Sequence, residues 1–468
     1  MKEKLMKISV IGAAGGEVTG SAYIVQTKKA RVLVDCGLFQ GGKRAEAKNR
    51  LPVKVQSKLD AVVITHGHLD HTGRLPLLAK LGYKGPVFAT KATHEMASLI
   101  LLDAARIQRQ DCERQNRKRM REGEPPREPL FTSADIEAIL RTFQTLPYQK
   151  PVSIAPGVQV CFAEAGHMLG SVSVQLIVDE DGRQKKVVFS GDLGPPSVPL
   201  LRKFEPFHTA DIVFLESTYG NRDHRPFRDT VDEFFEIVKT AVASRGKILI
   251  PTFAIGRAQL LIALLSVMFR RKKVKPFPIF LDSPMAIEAT SLYTRHFELF
   301  GDEMLKYIKE KPLREDLKTL TACVTAAQSK RINQCQGPCL VMAGAGMCTA
   351  GRIMHHLKEN LWKPETSVVM VGYQAQGSLG RALIDGTKQV NIFGDKVAVK
   401  AKVYTMGGFS AHAGQTDLLA WVDAVAAKKP LMVLTHGEDI QRQALAQCIK
   451  RQYKLKTILP GQGDTIEV

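Results

Sequence analysis

No run in the 468 residues approaches the ~18 consecutive apolar residues that a bilayer-spanning helix needs. That absence excludes a helical transporter, and no membrane partner is expected. The N-terminus, MKEKLMKISVIG, lacks a cleavable signal pattern: its charges run straight into ISVIG, which reads as a first strand. Cysteine is sparse, with eight scattered residues. Cys335 and Cys339 form a CxxxC with no second pair at zinc-finger spacing, so reduced thiols are expected rather than a disulfide framework or a structural zinc site. The expected location is the cytoplasm. No internal repeat or low-complexity segment is evident. Acidic residues are the other shortage, 46 Asp and Glu against 66 Lys and Arg, for a net charge of +20. Each cation near a phosphate releases a condensed counterion, so the balance favours a polyanionic partner. A thinly spread solubility charge would give the same total.

What is present reads as an ordinary globular chain, 44% hydrophobic and 24% charged, long enough for two or three domains. Over the first 65 residues, ISVIGAAGG, SAYIVQT and RVLVDCG read as strands between glycines, and LDAVVIT is a further strand ending on a histidine-rich loop. A helix is expected over 75–81, a strand at PVFAT and a long helix over 94–122. The tip of that helix, RQNRKRMREGEPPREP, mixes both signs of charge and so reads as solvated. Strands return at VQVCFAEAG, SVSVQLIV and KKVVFSGD, the last two joined by a turn at Asp181-Gly182. From about Thr218 strands and helices alternate: a helix capped by Asp229, then KILIPTF, the helix GRAQLLIALLSVMF, PIFLD, CLVMAGAG, a helix from Arg352 and SVVMVGY. Near-continuous apolar strands between helices indicate a parallel α/β sheet. The chain ends in short strand-then-turn units, KVYTMGGFSAH and PLMVLTHGE, around a helix over 416–427.

Of twelve histidines in the chain, THGHLDHTGRLP at 65–76 places His66, His68 and His71 within six positions, with Asp70 among them. Neutral imidazole is a good zinc ligand. Other ligand-capable residues also stand just past strands: His167 after VQVCFAEAG, Asp192 after KKVVFSG and His436 after PLMVLT. Strand ends along one sheet edge converge on one cleft. Singly, His167 or His436 reads as a hydrogen-bonded loop histidine. With the cluster they make seven donors, which suits two zinc ions, one taking three histidines and an oxygen, the other two histidines, an aspartate and an oxygen. Asp192 has two carboxylate oxygens and can bridge them, with a shared water in the open position.

THGHLDH resembles the signature of the metallo-β-lactamase superfamily. The blocks GAAGGEVTGSAYIV, VDCGLFQGG, AGHMLGS, SGDLG, ESTYG, PTFAIGRAQ, LDSPMA, GAGMCTAGR, GYQAQGSLGR, GGFSAHAGQ and LTHGE narrow the resemblance to its β-CASP nucleases and cover essentially the whole chain. The resemblance implies an α/β fold: a metallo-β-lactamase αββα sandwich over 1–212 and 399–468 with a parallel α/β β-CASP domain inserted at 213–398. It implies hydrolysis of single-stranded RNA by a di-zinc-activated hydroxide, in endonuclease or 5′–3′ exonuclease mode, leaving 5′-phosphate and 3′-hydroxyl ends. By the same resemblance His66, His68 and His167 would hold the first zinc and Asp70, His71 and His436 the second, with Asp192 bridging. Asp35 would orient ligands from behind. Asp70, Asp192, Glu216 and His412 form the implied catalytic set. By the resemblance Glu216 would hydrogen-bond His412, a carboxylate partner keeping the imidazolium protonated to donate to the leaving oxygen. A histidine at 436, where DNA-directed members carry an aliphatic residue, is similar to the RNA-directed branch. Neither a preceding KH segment nor a long C-terminal domain of the ribonuclease J type is seen, so substrate selection is expected from the core, a partner or a homo-oligomer.

Three glycine-rich turns, GAGMCTAGR, GYQAQGSLGR and GGFSAHAG, expose backbone N–H groups suited to phosphate. Neither of the first two has dinucleotide spacing. Arg257, Arg352, Arg381 and Ser410 are the candidate RNA-phosphate contacts. RRKKVK at 270–275 ends a helix and reads as solvated, and His355 and His356 read as structural. Other functions stay open on the same residues: a small-molecule ester or thioester hydrolase, opposed by the large insert and the positive charge; a DNA nuclease, opposed by His436; and a non-catalytic RNA-binding scaffold, opposed by the filled ligand positions.

Overall fold

The computed structural model describes residues 6–41, 45, 47–51, 55, 58–180 and 182–468. By contacts the chain forms two compact units. Met1–Pro196, Arg202–Asp223 and His412–Val468 make the first, and Ser197–Leu201 with His224–Ala411 make the second. The family resemblance implies an insert at 213–398. Strand Ile212–Glu216 pairs in parallel with both Arg183–Phe189 and Leu431–Thr435, which keeps it in the first unit. Lys402–Thr405 pairs with Ser367–Met370 in the second.

The first unit is built on two seven-stranded sheets. One runs in the order Thr465–Glu467, Lys7–Gly12, Ala22–Gln26, Arg31–Val34, Ala61–Val63, Val87–Ala89, Phe143–Thr145. The other runs Thr457–Ile458, Leu431–Thr435, Ile212–Glu216, Arg183–Phe189, Val172–Glu180, Val158–Glu164, Val152–Ala155. Side chains alternate across a strand, so each strand feeds two layers. Val187, Phe189, Ile212 and Phe214 pack inward with Val10, Val32, Val34 and Val63 of the facing sheet. Their neighbours Val188, Val213 and Leu215 pack outward with Trp421, Val425 and Ile449, from helices Gln415–Ala426 and Asp439–Tyr453. On the far side Leu33 and Val62 meet Leu75, Leu78, Leu101 and Ile136 of helices Leu75–Lys80, Lys91–Arg121 and Ser133–Leu140. The result is a four-layer αββα sandwich, as the family resemblance implied.

Helix Lys91–Arg121 begins ahead of the expected position 94 because Thr90 caps it, its hydroxyl accepting from the Thr93 amide. Its outer half carries surface ion pairs such as Arg114–Asp111 at 2.8 Å, in keeping with a solvated tip. The hairpin partners Glu180 and Arg183 pair in register; Asp181 of the expected turn lies outside the described residues. Among the described residues no helix is long and apolar enough to cross a membrane.

The second unit carries a six-stranded, wholly parallel sheet in the order Leu320–Ala322, Ile279–Leu281, Cys339–Ala343, Lys247–Pro251, Ser367–Met370, Lys402–Thr405. Leu249, Val341 and Val368 pack with Ile353, Leu357 and Leu361 on one face. Asp229 does not cap its helix: Phe227–Ala243 starts two residues earlier, with Pro226 at the cap position and Asp229 in the first turn. There its charge still complements the helix dipole.

Topology explains why chemistry-bearing residues gather in the first unit. Val158–Glu164 and Arg183–Phe189 are each antiparallel to Val172–Glu180, hence parallel to one another and to Ile212–Glu216 and Leu431–Thr435. The segments carrying His167, Asp192, Glu216 and His436 therefore leave one edge of that sheet. Close backbone approach is required there. A Cβ on Gly37 would stand 1.5 Å from the Asp70 carbonyl oxygen, and one on Gly194 would stand 1.9 Å from that of Gly166. Gly37→Ala should thus displace the Asp70–His71 backbone, lower stability by about 1–3 kcal/mol and reduce bound zinc. Thermal melting and elemental analysis would check this; unchanged metal content would contradict it.

Candidate metal centre and its acid pair

Among the described residues three groups of ligand-capable side chains meet in the first unit, one of Asp192, Glu216 and His412 and two of four donors each. His66, His68, His167 and Asp192 make one, and Asp70, His71, Asp192 and His436 the other, with each set of ligand atoms mutually within 4.8 Å. Asp192, only 2% exposed, belongs to both. One carboxylate oxygen lies 3.5 Å from His66 Nε2 and 3.6 Å from His167 Nε2. The other lies 3.3 Å from His71 Nε2. His167 Nε2 and His68 Nδ1 are 3.1 Å apart, and His71 Nε2 and His436 Nε2 are 3.4 Å apart. Tetrahedral zinc with bonds of 2.0–2.1 Å has ligand–ligand edges of about 3.3–3.4 Å, close to these separations. His66 Nε2 and Asp192 Oδ1 are also buried without a hydrogen-bond partner. Such orphaned polar atoms are costly unless something else binds them.

The rings are aimed by the groups behind them. Asp35 Oδ2 accepts from His71 Nδ1 at 2.7 Å and from the Thr65 hydroxyl at 2.8 Å, leaving His71 Nε2 to face the centre. Thr65 Oγ1 stands 3.1 Å from His66 Nδ1. Thr218 Oγ1 stands 3.1 Å from His436 Nδ1. Asp35 (φ +58°) and His436 (φ +51°) both hold left-handed backbone conformations, a strain of about 1–3 kcal/mol each that functional sites often store. Thr65 and Thr218 were missed by the sequence reading. Their one visible signal was adjacency to the histidine cluster and to Glu216.

Charge follows the same geometry. Burial holds His66 and His68 below the ordinary imidazole value, ready as neutral ligands. Burial opposes charge on His71 and His436 too, but the carboxylates around them, Asp192 foremost, push both rings up. Against burial, His436 and His71 hold Asp192 well below the carboxylate range, and the His436 hydrogen bond takes Asp70 to about 2. A metal cation replaces protons in such a site.

Beside the donors, Glu216 ends its strand fully buried. Its Oε1 accepts from the Leu193 amide at 2.7 Å, and Oε2 accepts from the Thr218 amide at 3.2 Å. Oε1 also stands 3.3 Å from His412 Nδ1. Burial opposes charge on His412, but Glu216 overcomes it and lifts the ring to about 9. The His412 ring lies 4.6 Å from that of His167. Every expected ligand, together with Asp35, Glu216 and His412, thus falls in one cluster.

The four phosphate candidates lie in the second unit. Arg352 is engaged internally, with Nη1 donating to Asp282 at 2.7 Å and to the Cys323 carbonyl, and Nη2 donating to the Val324 carbonyl. Arg381 pairs with Asp385 at 2.9 Å. Arg257 opens helix Arg257–Arg270, and Ser410 precedes the Ala411–His412 step between units. His356 is structural, bonded to Asp282 at 2.7 Å. Arg270 is not solvated as expected: it donates to Asp316 and to the Tyr307 carbonyl, and its guanidinium lies over the Tyr307 ring.

Comparison with known proteins identifies the family. Residues 15–139 match the metallo-beta-lactamase superfamily model, 258–383 the Beta-Casp domain and 396–460 the Zn-dependent metallo-hydrolase RNA specificity domain. The chain is 40% identical to Ribonuclease TTHA0252 of Thermus thermophilus, over 95% of this chain and 96% of that protein. It is 32% identical to transcription termination factor FttA of Methanothermobacter thermautotrophicus, over 97% of this chain and 71% of that one. An Enterococcus faecalis protein of unknown function shares the fold, with a TM-score of 0.55 at 12% identity over 99% of this chain and 100% of that one.

Because Asp35 fixes the His71 ring, Asp35→Asn should lower metal affinity by about 10–100-fold. Competition with a chelating dye measures this, and affinity equal to the parent chain would contradict it.

Proposed function

The chain belongs to the β-CASP family of the metallo-β-lactamase superfamily, and from that premise we propose that it is a zinc-dependent ribonuclease. It cuts phosphodiester bonds of single-stranded RNA, leaves 5′-phosphate and 3′-hydroxyl ends, and serves RNA processing or decay in the cytoplasm. The observation that carries this reading is the Glu216–His412 pair set against a seven-residue donor cluster. Hydrolysis of a phosphodiester needs a nucleophile, charge neutralisation at phosphorus and a proton for the departing oxygen, and the cluster and the pair divide these tasks.

His66, His68 and His167 would hold one zinc ion and Asp70, His71 and His436 a second, with Asp192 available to both; when bound, the metal would supply a nucleophile at neutral pH and neutralise phosphate charge. The remaining work belongs to the side chains. Thr65, Asp35 and Thr218 keep the ligand rings in their tautomers and orientations. Glu216 binds His412 at Nδ1 and keeps it protonated, leaving Nε2 to give its proton to the O3′ of the departing strand. The RNA-specificity model spans both His412 and His436, a named ribonuclease is the 40% identical relative, and the net charge is +20; each supports RNA over DNA or a small ester.

End-labelled single-stranded RNA and DNA, incubated with and without chelator, test the proposal. RNA should be cut preferentially and only with metal present; equal cutting of both, or cutting that survives chelation, would sink it. His412→Ala should lose about 10²–10⁴-fold in kcat while keeping its zinc by elemental analysis. Activity that needs protonated His412 falls as pH rises through its pKa. Removing the Glu216 carboxylate lowers that pKa, so Glu216→Gln should move the alkaline limb of the kcat/KM profile to lower pH, whereas an unmoved limb would remove Glu216 from this role.

A further inference from the structure

The loop that follows Glu216 carries a cation the mechanism has not used. Tyr219 sits with its ring centroid 6.3 Å from that of His412. The Arg222 guanidinium lies over the Tyr219 ring at 5.2 Å from its centroid. Arg222 is exposed, and that stacking is its side chain's one interaction among the described residues: no hydrogen bond or ion pair engages its donors. Arg352, Arg381 and Arg270, by contrast, are all bonded within the protein.

The loop itself is firmly held. The Arg222 amide donates to the Tyr219 carbonyl, and the Arg222 carbonyl accepts from the Gln415 amide at 3.0 Å. The Gln415 side chain donates to the Gly220 carbonyl at 2.7 Å. Asp223 accepts from the Thr416 amide and hydroxyl at 2.8 and 2.7 Å. A hydrogen-bonded segment of the sandwich therefore presents a half-buried aromatic ring and, on it, an exposed guanidinium with open donors. An arginine fork matches phosphate geometry, and an aromatic face holds the guanidinium without consuming its N–H groups.

The direction of the reaction says which phosphate. Cleavage that leaves a 3′-hydroxyl expels the O3′ of the upstream nucleoside, and the His412 proton goes to that oxygen. The surface against His412 is accordingly where the upstream nucleotide lies, and the next anion along it is that nucleotide's own 5′-phosphate. We infer that Arg222, positioned by the Tyr219 ring, binds the phosphate immediately upstream of the scissile one. This subsite rests on the ribonuclease reading above and adds to it a contact on the leaving-group side.

The test uses metal-loaded chain in a His412→Ala background for binding and the active enzyme for cleavage. Neutralising one phosphate contact on a single strand changes the slope of log K against log salt by about 0.7. Arg222→Ala should reduce the slope by that amount, Arg222→Lys should keep it, Tyr219→Phe should match the parent and Tyr219→Leu should weaken binding. With active enzyme, a neutral methylphosphonate one linkage upstream of the cut should slow the unsubstituted chain several-fold and leave Arg222→Ala no slower than on unmodified RNA. An unchanged salt slope, or the same methylphosphonate penalty with and without Arg222, would overturn the assignment. Failure of the parent chain to cut RNA at all would instead reject the ribonuclease reading.

Discussion

A single buried carboxylate governs this structure. Asp192 is 2% exposed, and nitrogens of His66, His71, His167 and His436 crowd it at 3.3–3.6 Å. Burying an ionised carboxylate costs several kcal/mol unless opposite charge and hydrogen bonds compensate. The fold supplies that compensation by bringing strand ends of two sheets to one place, and the αββα sandwich is the scaffold that does it. The same crowding divides the imidazoles into two that burial keeps neutral and two that carboxylates push toward protonation. The proposed pair of divalent cations, one on each side of Asp192, would resolve both demands.

The support for that point reaches deep into the sandwich. Arg74, at the end of the THGHLDHTGR stretch, is fully buried. Its guanidinium donates to the Gly37 and Gly20 carbonyls and lies over Phe39. Its amide donates to the Cys36 carbonyl at 2.8 Å. Arg74 thus seats the strand end that carries Asp35 against the loop that carries Asp70 and His71, with Gly37 giving the clearance. Part of the chain's excess positive charge is therefore structural. Arg74, Arg270 and Arg352 are spent inside the protein, whereas Arg222 is held on an aromatic face with its donors open.

Much of the centre was legible in the sequence because it is local or periodic. His66, His68, Asp70 and His71 sit on one short loop, and His167, Asp192 and His436 each follow a strand that its apolar pattern reveals. The four layers were legible only through the family resemblance; alternation such as Val187, Val188, Phe189 explains them once the two sheets are placed. What stayed hidden depends on long-range partners. Nothing near Arg352 or Arg270 in sequence announces Asp282 or Asp316, which lie 70 and 46 residues away. The tautomer-setting hydroxyls of Thr65 and Thr218 look like any threonine beside a motif. The assignment of Ile212–Glu216 to the sandwich rests on its place between Arg183–Phe189 and a strand more than 200 residues later, pairings that no local pattern can report.

The central claim is that Asp192 stands between two metal ions. Anomalous diffraction from crystals of the zinc-loaded chain, collected on both sides of the zinc edge, tests it most directly. The account predicts two peaks about 3.5–4 Å apart, one against His66, His68 and His167 and the other against Asp70, His71 and His436, each within bonding distance of Asp192. A single peak, or zinc bound away from Asp192, would contradict it.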